Sequence, residues 1–536
     1  MSLSANSTLY LGDESASDSA GLLHAAYHAV RLPNVVSTAI LPGAFVLSTL
    51  VLWRLWRFTV LPWLYPDPSK EFPYWIPVLG QQPYISPKVI LRYLPGAVRS
   101  DGVWKDFLRR HSGQAVGRSV PNTEAVSFDD FVQGLMRNNG NDEEAINAVF
   151  TPCPSTKPAS PTHGASPSVA WPQEKVQKWL NCHVHPKEIC AKPTATSSGH
   201  KSVEVPFYQW CLKYLIQLGQ DIYFGEMLAR IDPTLPSAFF LFDELIWKML
   251  YQYPGFLSLD MSVPRARVIA SLDKYLQVPQ ERAGDAAWLV NAMEDEMRAV
   301  GVQGENLAIV IFHLYLAINT NTRKTAFWVL TYLLHNPDLL AAYRRETAPV
   351  FRGPDLADPS VIQDAAKCPE VDAVWHDTLR MLGWSASVRF VTRDTVIGGK
   401  RMCKGSRILV PHRLRHFDEG IFGDATHQFR TERWRSNKNL PRNPSFRPFG
   451  GGKTMCSGRF IARFSVTSFV ATFLHRFDVE LVGSPRFPRA DEGRPVLGTM
   501  SIREGGDFNG LTPRPEFAKC RDESGASTLG SGFLEW

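Results

Sequence analysis

The sequence predicts a mainly α-helical globular protein with small β-sheets, carried behind one N-terminal membrane-spanning helix. Three observations predict it. Between about 205 and 345 apolar residues recur at helical spacing, as in PFYQWCLKYLIQLGQDIYF and GENLAIVIFHLYLAINTNTRKTAFWVLTYLLHN. Residues 388 to 413 change to short β-like runs, VRFVT, DTVIGG and SRILVPHR, separated by glycines and charges. Val35 to Trp53 runs for about 19 residues without a charge, enough to cross hydrocarbon as a helix. The composition agrees: 44% hydrophobic and 21% charged over 536 residues buries a large core and excludes a disordered chain, a collagen or a small disulfide scaffold. A net charge of +6 is too dilute at this length to point to nucleic acid.

The elements follow in order. Residues 1–32 form a tail and 33–57 the transmembrane anchor, with Pro42 tolerated as a kink. Asp13, Glu14 and Asp18 precede the span, and Arg54 and Arg57 follow it. The cationic flank places the body in the cytosol and the tail in the lumen, which implies a single-pass protein of the endoplasmic reticulum membrane. A cleaved signal peptide and a buried core helix are the alternatives. Asn6-Ser7-Thr8 is a glycosylation sequon if lumenal. Pro62, Pro66, Pro68, Pro73 and Pro77 make 58–80 a stiff, extended connector. Residues 151–171, rich in Pro, Ser and Thr, read as a loop insertion, and 516–536 as a flexible tail. The apolar run from Gly304 to Asn336-Pro337 predicts one helix of some eight or nine turns through the middle of a domain.

Eight cysteines at irregular spacing (Cys153, Cys182, Cys190, Cys211, Cys368, Cys403, Cys456, Cys520) contain no CxxC pair and suit a reducing compartment. Cys456 stands apart. Phe449, Gly452, Cys456 and Gly458 fall in the arrangement F-x-x-G-x-x-x-C-x-G. The glycines let backbone pass close to something flat, and the run SGRFIARFSVTSFVATFLHRF supplies a helix whose N-terminus faces the sulfur. A helix N-terminus and nearby cations (Lys453, Arg459, Arg463) favour the thiolate, which is the form that ligates a metal. The alternatives are a buried cysteine after a turn, or a phosphate loop. The latter fails for want of a strand before P-loop spacing.

With these motifs the sequence resembles the cytochrome P-450 haem-thiolate family, from the anchor to about Phe508. Asp377-Thr378-Leu379-Arg380 stands where that family has E-x-x-R, and Phe429 to Trp434 resembles its F-x-P-E-R-F segment. The resemblance implies the family's fold, a catalytic domain over 81–515, and haem b (iron protoporphyrin IX) with Cys456 as the axial iron ligand. It further implies that Phe449, Gly452, Lys453, Thr454 and Gly458 border the cofactor, and that Asp377, Arg380 and Arg433 form a buried charged triad behind it.

Three departures are informative. Asp377 is one methylene shorter than the family's glutamate. Thr454 replaces an arginine that meets the haem propionates, leaving Lys453 and Arg389 or Arg393 for that role. In Ala317-Ile318-Asn319-Thr320-Asn321-Thr322 the family's acid position is Thr320 and its threonine position Asn321, making Asn321 and Thr322 the expected distal catalytic pair. Asn321, Thr322 and Thr454 resemble the sterol 7α/12α-hydroxylase and prostacyclin synthase branch. An amide hydrogen-bonds and orients water but passes a proton less readily than an alcohol. A polar residue capping a helix bulge is the alternative reading. The implied function is a monooxygenase of secondary metabolism, oxidising a hydrophobic terpenoid, steroid or polyketide-like substrate with O2 and electrons from an NADPH-cytochrome reductase. Arg442, Arg447, Lys453, Arg459 and Arg463 form a candidate docking face for that donor. An electron-independent isomerase or dehydratase and a non-catalytic haem-binding protein are the other readings.

Overall fold

The computed structural model of the chain describes residues 44–64, 126–127, 142–145, 171–184, 203–250, 253–280, 286–299, 301–391, 393–397, 400–404, 407–451, 455–479, 481, 486–494, 496, 498–503 and 509–513. The chain divides into two compact units, Met1–Tyr84 and Ile85–Trp536. In the first, residues 44–64 are helical, with Trp56–Val60 as a π-type stretch and Leu61–Leu64 as a last α-turn. Phe45, Leu47, Leu52 and Trp63 are exposed along it. The helix runs past 57 and through Pro62, so the start of the expected extended connector is helical. The wide π-type turn just before Pro62 relaxes the contact a proline ring makes with the preceding turn. Residues 1–43 and 65–80 lie outside the described residues, as do 151–170 and 516–536. Among the described residues no helix is long and apolar enough to cross a membrane.

The second unit is mainly α-helical with small sheets. Its longer helices among the described residues are α1 (Trp171–His183), α2 (Phe207–Ile231), α3 (Leu235–Leu250), α4 (Leu259–Leu276), α5 (Trp288–Ala299), α6 (Gly304–Asn319), α7 (Thr322–Leu334), α8 (Pro337–Thr347), α9 (Pro369–Leu382) and α10 (Arg459–Arg476). One antiparallel sheet joins Val126–Ser127, Ala386–Val391 and Arg407–Pro411, and another joins Val203–Pro206, Asn509–Pro513 and Phe477–Asp478. The core forms two clusters. One lies where α1, α2, α7, α8, α9 and α10 meet, and the other among α2 to α6. Helix α2 belongs to both, since its buried residues surround its axis.

The single long helix expected from Gly304 onward is two, α6 and α7, interrupted at Thr320 and Asn321. Side chains compete for backbone carbonyls there. Asn319 Nδ2 donates to Tyr315 O at 3.0 Å, Thr322 Oγ1 to Ile318 O at 2.8 Å and Thr325 Oγ1 to Asn321 O at 2.9 Å. Such back-bonding is a recognised cause of helix irregularity.

Two charges next to the break are fully buried. Arg323 and Lys324 meet the Asp243 carboxylate of α3, the lysine at 2.6 Å. Burial alone would push the Asp243 carboxyl up, but the Lys324 and Arg323 charges hold it below the usual carboxylate range. Arg476, also fully buried, closes the end of α1 by donating to Leu180 O at 3.2 Å and Val184 O at 2.7 Å.

Candidate functional site

The cysteine loop leaves Phe446, turns, and enters α10. Gly450 N donates to Arg447 O at 3.2 Å with Gly450 at φ +73°, a left-handed turn that a side chain would strain. Phe449 stacks on Trp375 of α9, with ring centroids 6.3 Å apart, which pins the loop to the core. Cys456 N donates to Phe449 O at 3.0 Å, and Arg459 Nη1 donates to Cys456 O at 2.8 Å. Gly458 caps α10. A Cβ on Gly458 would stand 3.8 Å from Cys456 Sγ. The thiol is exposed at the head of an 18-residue helix, while Cys211 and Cys368 are buried.

These residues fit a haem: one exposed sulfur at a helix N-terminus, with Gly458 keeping a side chain off it. Among the described residues no group of three His, Cys, Asp or Glu is placed to hold a bare metal ion. Gly452, Lys453 and Thr454 lie outside the described residues, as does the side chain of Arg389, and Arg393 is exposed.

Asp377, Arg380 and Arg433 come together behind the loop. Arg380 donates through Nε to Asp377 Oδ1 at 2.6 Å and through Nη2 to Oδ2 at 3.3 Å, and Arg433 Nε stands 3.3 Å from Oδ1. Two further donors escaped sequence reasoning. Trp434 Nε1 reaches Oδ1 at 2.9 Å and Arg430 N reaches Oδ2 at 2.6 Å. The sequence does hold a signal for the first: Trp434 stands where the family pattern has phenylalanine, and only the indole brings an N–H. Arg380 also donates to Thr426 O at 2.5 Å and Gln428 O at 3.0 Å.

Asn321 and Thr322, expected as a pair, make separate bonds. The Thr322 hydroxyl is turned back onto Ile318 O at the end of α6, whereas Asn321 Oδ1 accepts from Thr499 N at 3.0 Å. No hydrogen bond among the described residues links either to the Cys456 loop. Of the candidate docking cations, Arg463 pairs with Asp372 at 2.9 Å and Arg447 Nε donates to Pro444 O, while Arg442 is exposed.

His416 supports the same loop from below. Its Nε2 accepts from Arg447 N at 3.1 Å, which requires a neutral ring. Burial, helped by the charges of His412, Arg413 and Arg380, pushes its pKa down to about 3. Because the folded value lies below the ordinary ~6.5, the unfolded chain binds the proton first as pH falls. The stability tied to His416 is complete above about pH 6.5 and is lost from there down towards pH 3, at roughly 1.4 kcal/mol per pH unit. Denaturant midpoints of wild type and His416→Gln between pH 7.5 and 5 check this. The wild type is expected to fall more steeply, and parallel curves would refute it.

Known proteins point the same way. The sequence model of the Cytochrome P-450 family matches residues 266–503. A cytochrome P-450 monooxygenase, poxD, of Penicillium oxalicum is 26% identical over 277 residues, 49% of this chain and 56% of its own. Ent-kaurenoic acid oxidase 1 of Hordeum vulgare is 28% identical over 47% of this chain and 52% of its own. The human 7-alpha-hydroxycholest-4-en-3-one 12-alpha-hydroxylase is 29% identical over 41% and 48%. The chain thus spans about half the length of these curated relatives. The matched region runs from α4 past the Asp377 cluster and the Cys456 loop to Arg503, and over it the chain is similar to the cytochrome P-450 family.

Proposed function

We propose that the protein is a haem-thiolate monooxygenase that oxidises a hydrophobic small molecule of terpenoid, steroid or polyketide-like class in secondary metabolism. The observation that carries this reading is the exposed Cys456 thiol at the head of α10, in a glycine-bordered loop pinned to the core by Phe449. Haem b held by Cys456 supplies the redox chemistry by which one atom of O2 enters a C–H bond. The chain's own residues do the rest. Phe449 and Gly458 shape the approach to the sulfur, and the Asp377 cluster holds the scaffold behind it. Lys453 and Thr454, with Arg389 or Arg393, would meet the propionates.

Electrons would come from NADPH through a cytochrome reductase at the basic side around Arg442 and Arg459. The uncharged run from Val35 to Trp53, followed by Arg54 and Arg57, supports a single-pass anchor in the endoplasmic reticulum membrane, with the body cytosolic. Relatives named for a kaurenoic acid and for a cholestenone suit a polycyclic apolar substrate. The test is product formation with reductase and NADPH present or omitted. Strict dependence on both is expected, and full turnover without them would overturn the reading.

That second outcome would favour an isomerase or dehydratase that needs no external electrons. One observation speaks for it: the position where the family has its threonine is Asn321, an amide, and the Thr322 hydroxyl is bonded to Ile318 O.

A further inference from the structure

Two cations and one acid meet beside the α6–α7 break, each side chain no more than 1% exposed: Arg323, Lys324 and Asp243. Both cations use the same oxygen of the acid, Oδ2. Three elements converge on this place. The backbone stays near α-helical through Thr320 and Asn321, so Tyr315, Asn319 and Arg323 form one stripe at four-residue spacing. From α2, Gln220 Oε1 accepts from Tyr315 OH at 3.1 Å, and Gly219 lies so close that a Cβ on it would collide with Asn319 Oδ1. From α3, the Phe239 ring packs on Tyr315 with centroids 5.0 Å apart and lies 5.9 Å from the Arg323 guanidinium.

Along the stripe several buried polar atoms have no partner among the described residues. Arg323 spends Nη2 on Asp243, but its Nε and Nη1 have no acceptor, and neither has Gln220 Nε2. Asp243 Oδ1 and Asn319 Oδ1 have no donor, and the buried Thr320 hydroxyl is unpaired. Donors and acceptors sit in one small region, out of bonding geometry with each other, so a bridging molecule is called for. The mixture fixes its chemistry. An anion would accept from Arg323 and Gln220 but would face two bare oxygens, one of them on a carboxylate. A metal cation would face the guanidinium. A water molecule accepts and donates at once and suits both kinds.

We propose that α2, α3 and the α6–α7 junction enclose a site for ordered water, lined by Gln220, Asp243, Asn319, Thr320 and Arg323. Water there completes the hydrogen bonds of the guanidinium and carries them on to the bare oxygens, so that two buried cations stay charged against a single carboxylate. The neighbouring acid, Glu244, is committed elsewhere: its carboxylate accepts from Tyr208 OH at 3.0 Å and Ser501 Oγ at 3.1 Å and stands 3.6 Å from Arg494. The site uses neither Asn321, Thr322 nor the Cys456 loop, and it does not depend on the haem-thiolate reading. Its role is to fasten α3 to the helix junction through a shared polar ligand.

A high-resolution crystal structure of the full-length holoprotein, with and without a bromide soak, reads the occupant directly. Ordered density is expected within hydrogen-bond distance of the Arg323 guanidinium and of Asn319 Oδ1 or Asp243 Oδ1, with no anomalous signal after the soak. Thr320→Val gives an independent reading in solution, because it exchanges the hydroxyl for a methyl of nearly the same size. A hydroxyl bonded to water stabilises the fold, so the melting midpoint is expected to fall by about 1–2 °C. In a dry site the same hydroxyl is a burden, and its removal would raise the midpoint.

Side chains paired directly with one another, and no density between them, overturn the site. A Thr320→Val midpoint at or above that of the wild type overturns it as well. An anomalous bromide peak beside Arg323 overturns water as the occupant and gives the place to a small anion.

Discussion

Cys456→Ala is expected to abolish the thiolate spectrum of the reduced, carbon monoxide-bound protein and to take turnover to background, while leaving the fold intact. The separation of the two effects follows from the site. The Cys456 side chain is exposed, and the bonds that shape the loop there are made by backbone: Cys456 N to Phe449 O and Arg459 Nη1 to Cys456 O. Substitutions at exposed positions outside special features usually move stability by no more than about 0.5 kcal/mol. A large functional loss with an unchanged melting midpoint therefore isolates ligation as the role of the sulfur. Cys456→Ser offers an alcohol in the same place and tests whether any ligand suffices. The thiolate signature is expected to be lost there too, since a serine hydroxyl stays protonated at neutral pH. Persistence of that signature in Cys456→Ala would refute the assignment and move attention to the other cysteines.

Local signals carried much of the fold. The helix after Cys456 and the strands between 386 and 411 were legible because period and flanking glycines decide them within a few residues. What sequence reasoning missed depends on partners far away in the chain. Arg323 and Lys324 look misplaced in an apolar helix until Asp243, 80 residues earlier, is set against them. The same holds for the long helix itself. Its apolar period is continuous, yet it divides where Asn319, Thr322 and Thr325 turn their side chains back onto carbonyls, a competition that periodicity does not register. At the candidate site, the cysteine motif could be read from spacing alone. The bond from Thr499 to Asn321 could not, because Thr499 lies in an irregular segment with no pattern of its own.

Asp377→Ala is expected to be the most destabilising single substitution at the site, at about 3–5 kcal/mol, because it leaves buried arginine charge without its carboxylate. The carboxylate accepts from Arg380 Nε, Arg430 N and Trp434 Nε1 and stands 3.3 Å from Arg433 Nε, and the Arg380 and Trp434 side chains are buried away from water that could replace it. The shorter acid and the tryptophan belong together. A glutamate would carry its oxygens one methylene further, into space that the indole occupies. Asp377→Glu alone is therefore expected to cost about 1–3 kcal/mol through overpacking. Trp434→Phe alone removes one donor and costs about 1 kcal/mol. The double variant, which restores the family's acid and aromatic ring at once, should be more stable than the sum of the single losses predicts. Denaturant midpoints of the four proteins give the coupling, expected at about 0.5–3 kcal/mol for groups in contact. Simple additivity would show that the two departures from the family pattern arose independently, and the indole N–H would then be incidental to the charge it touches.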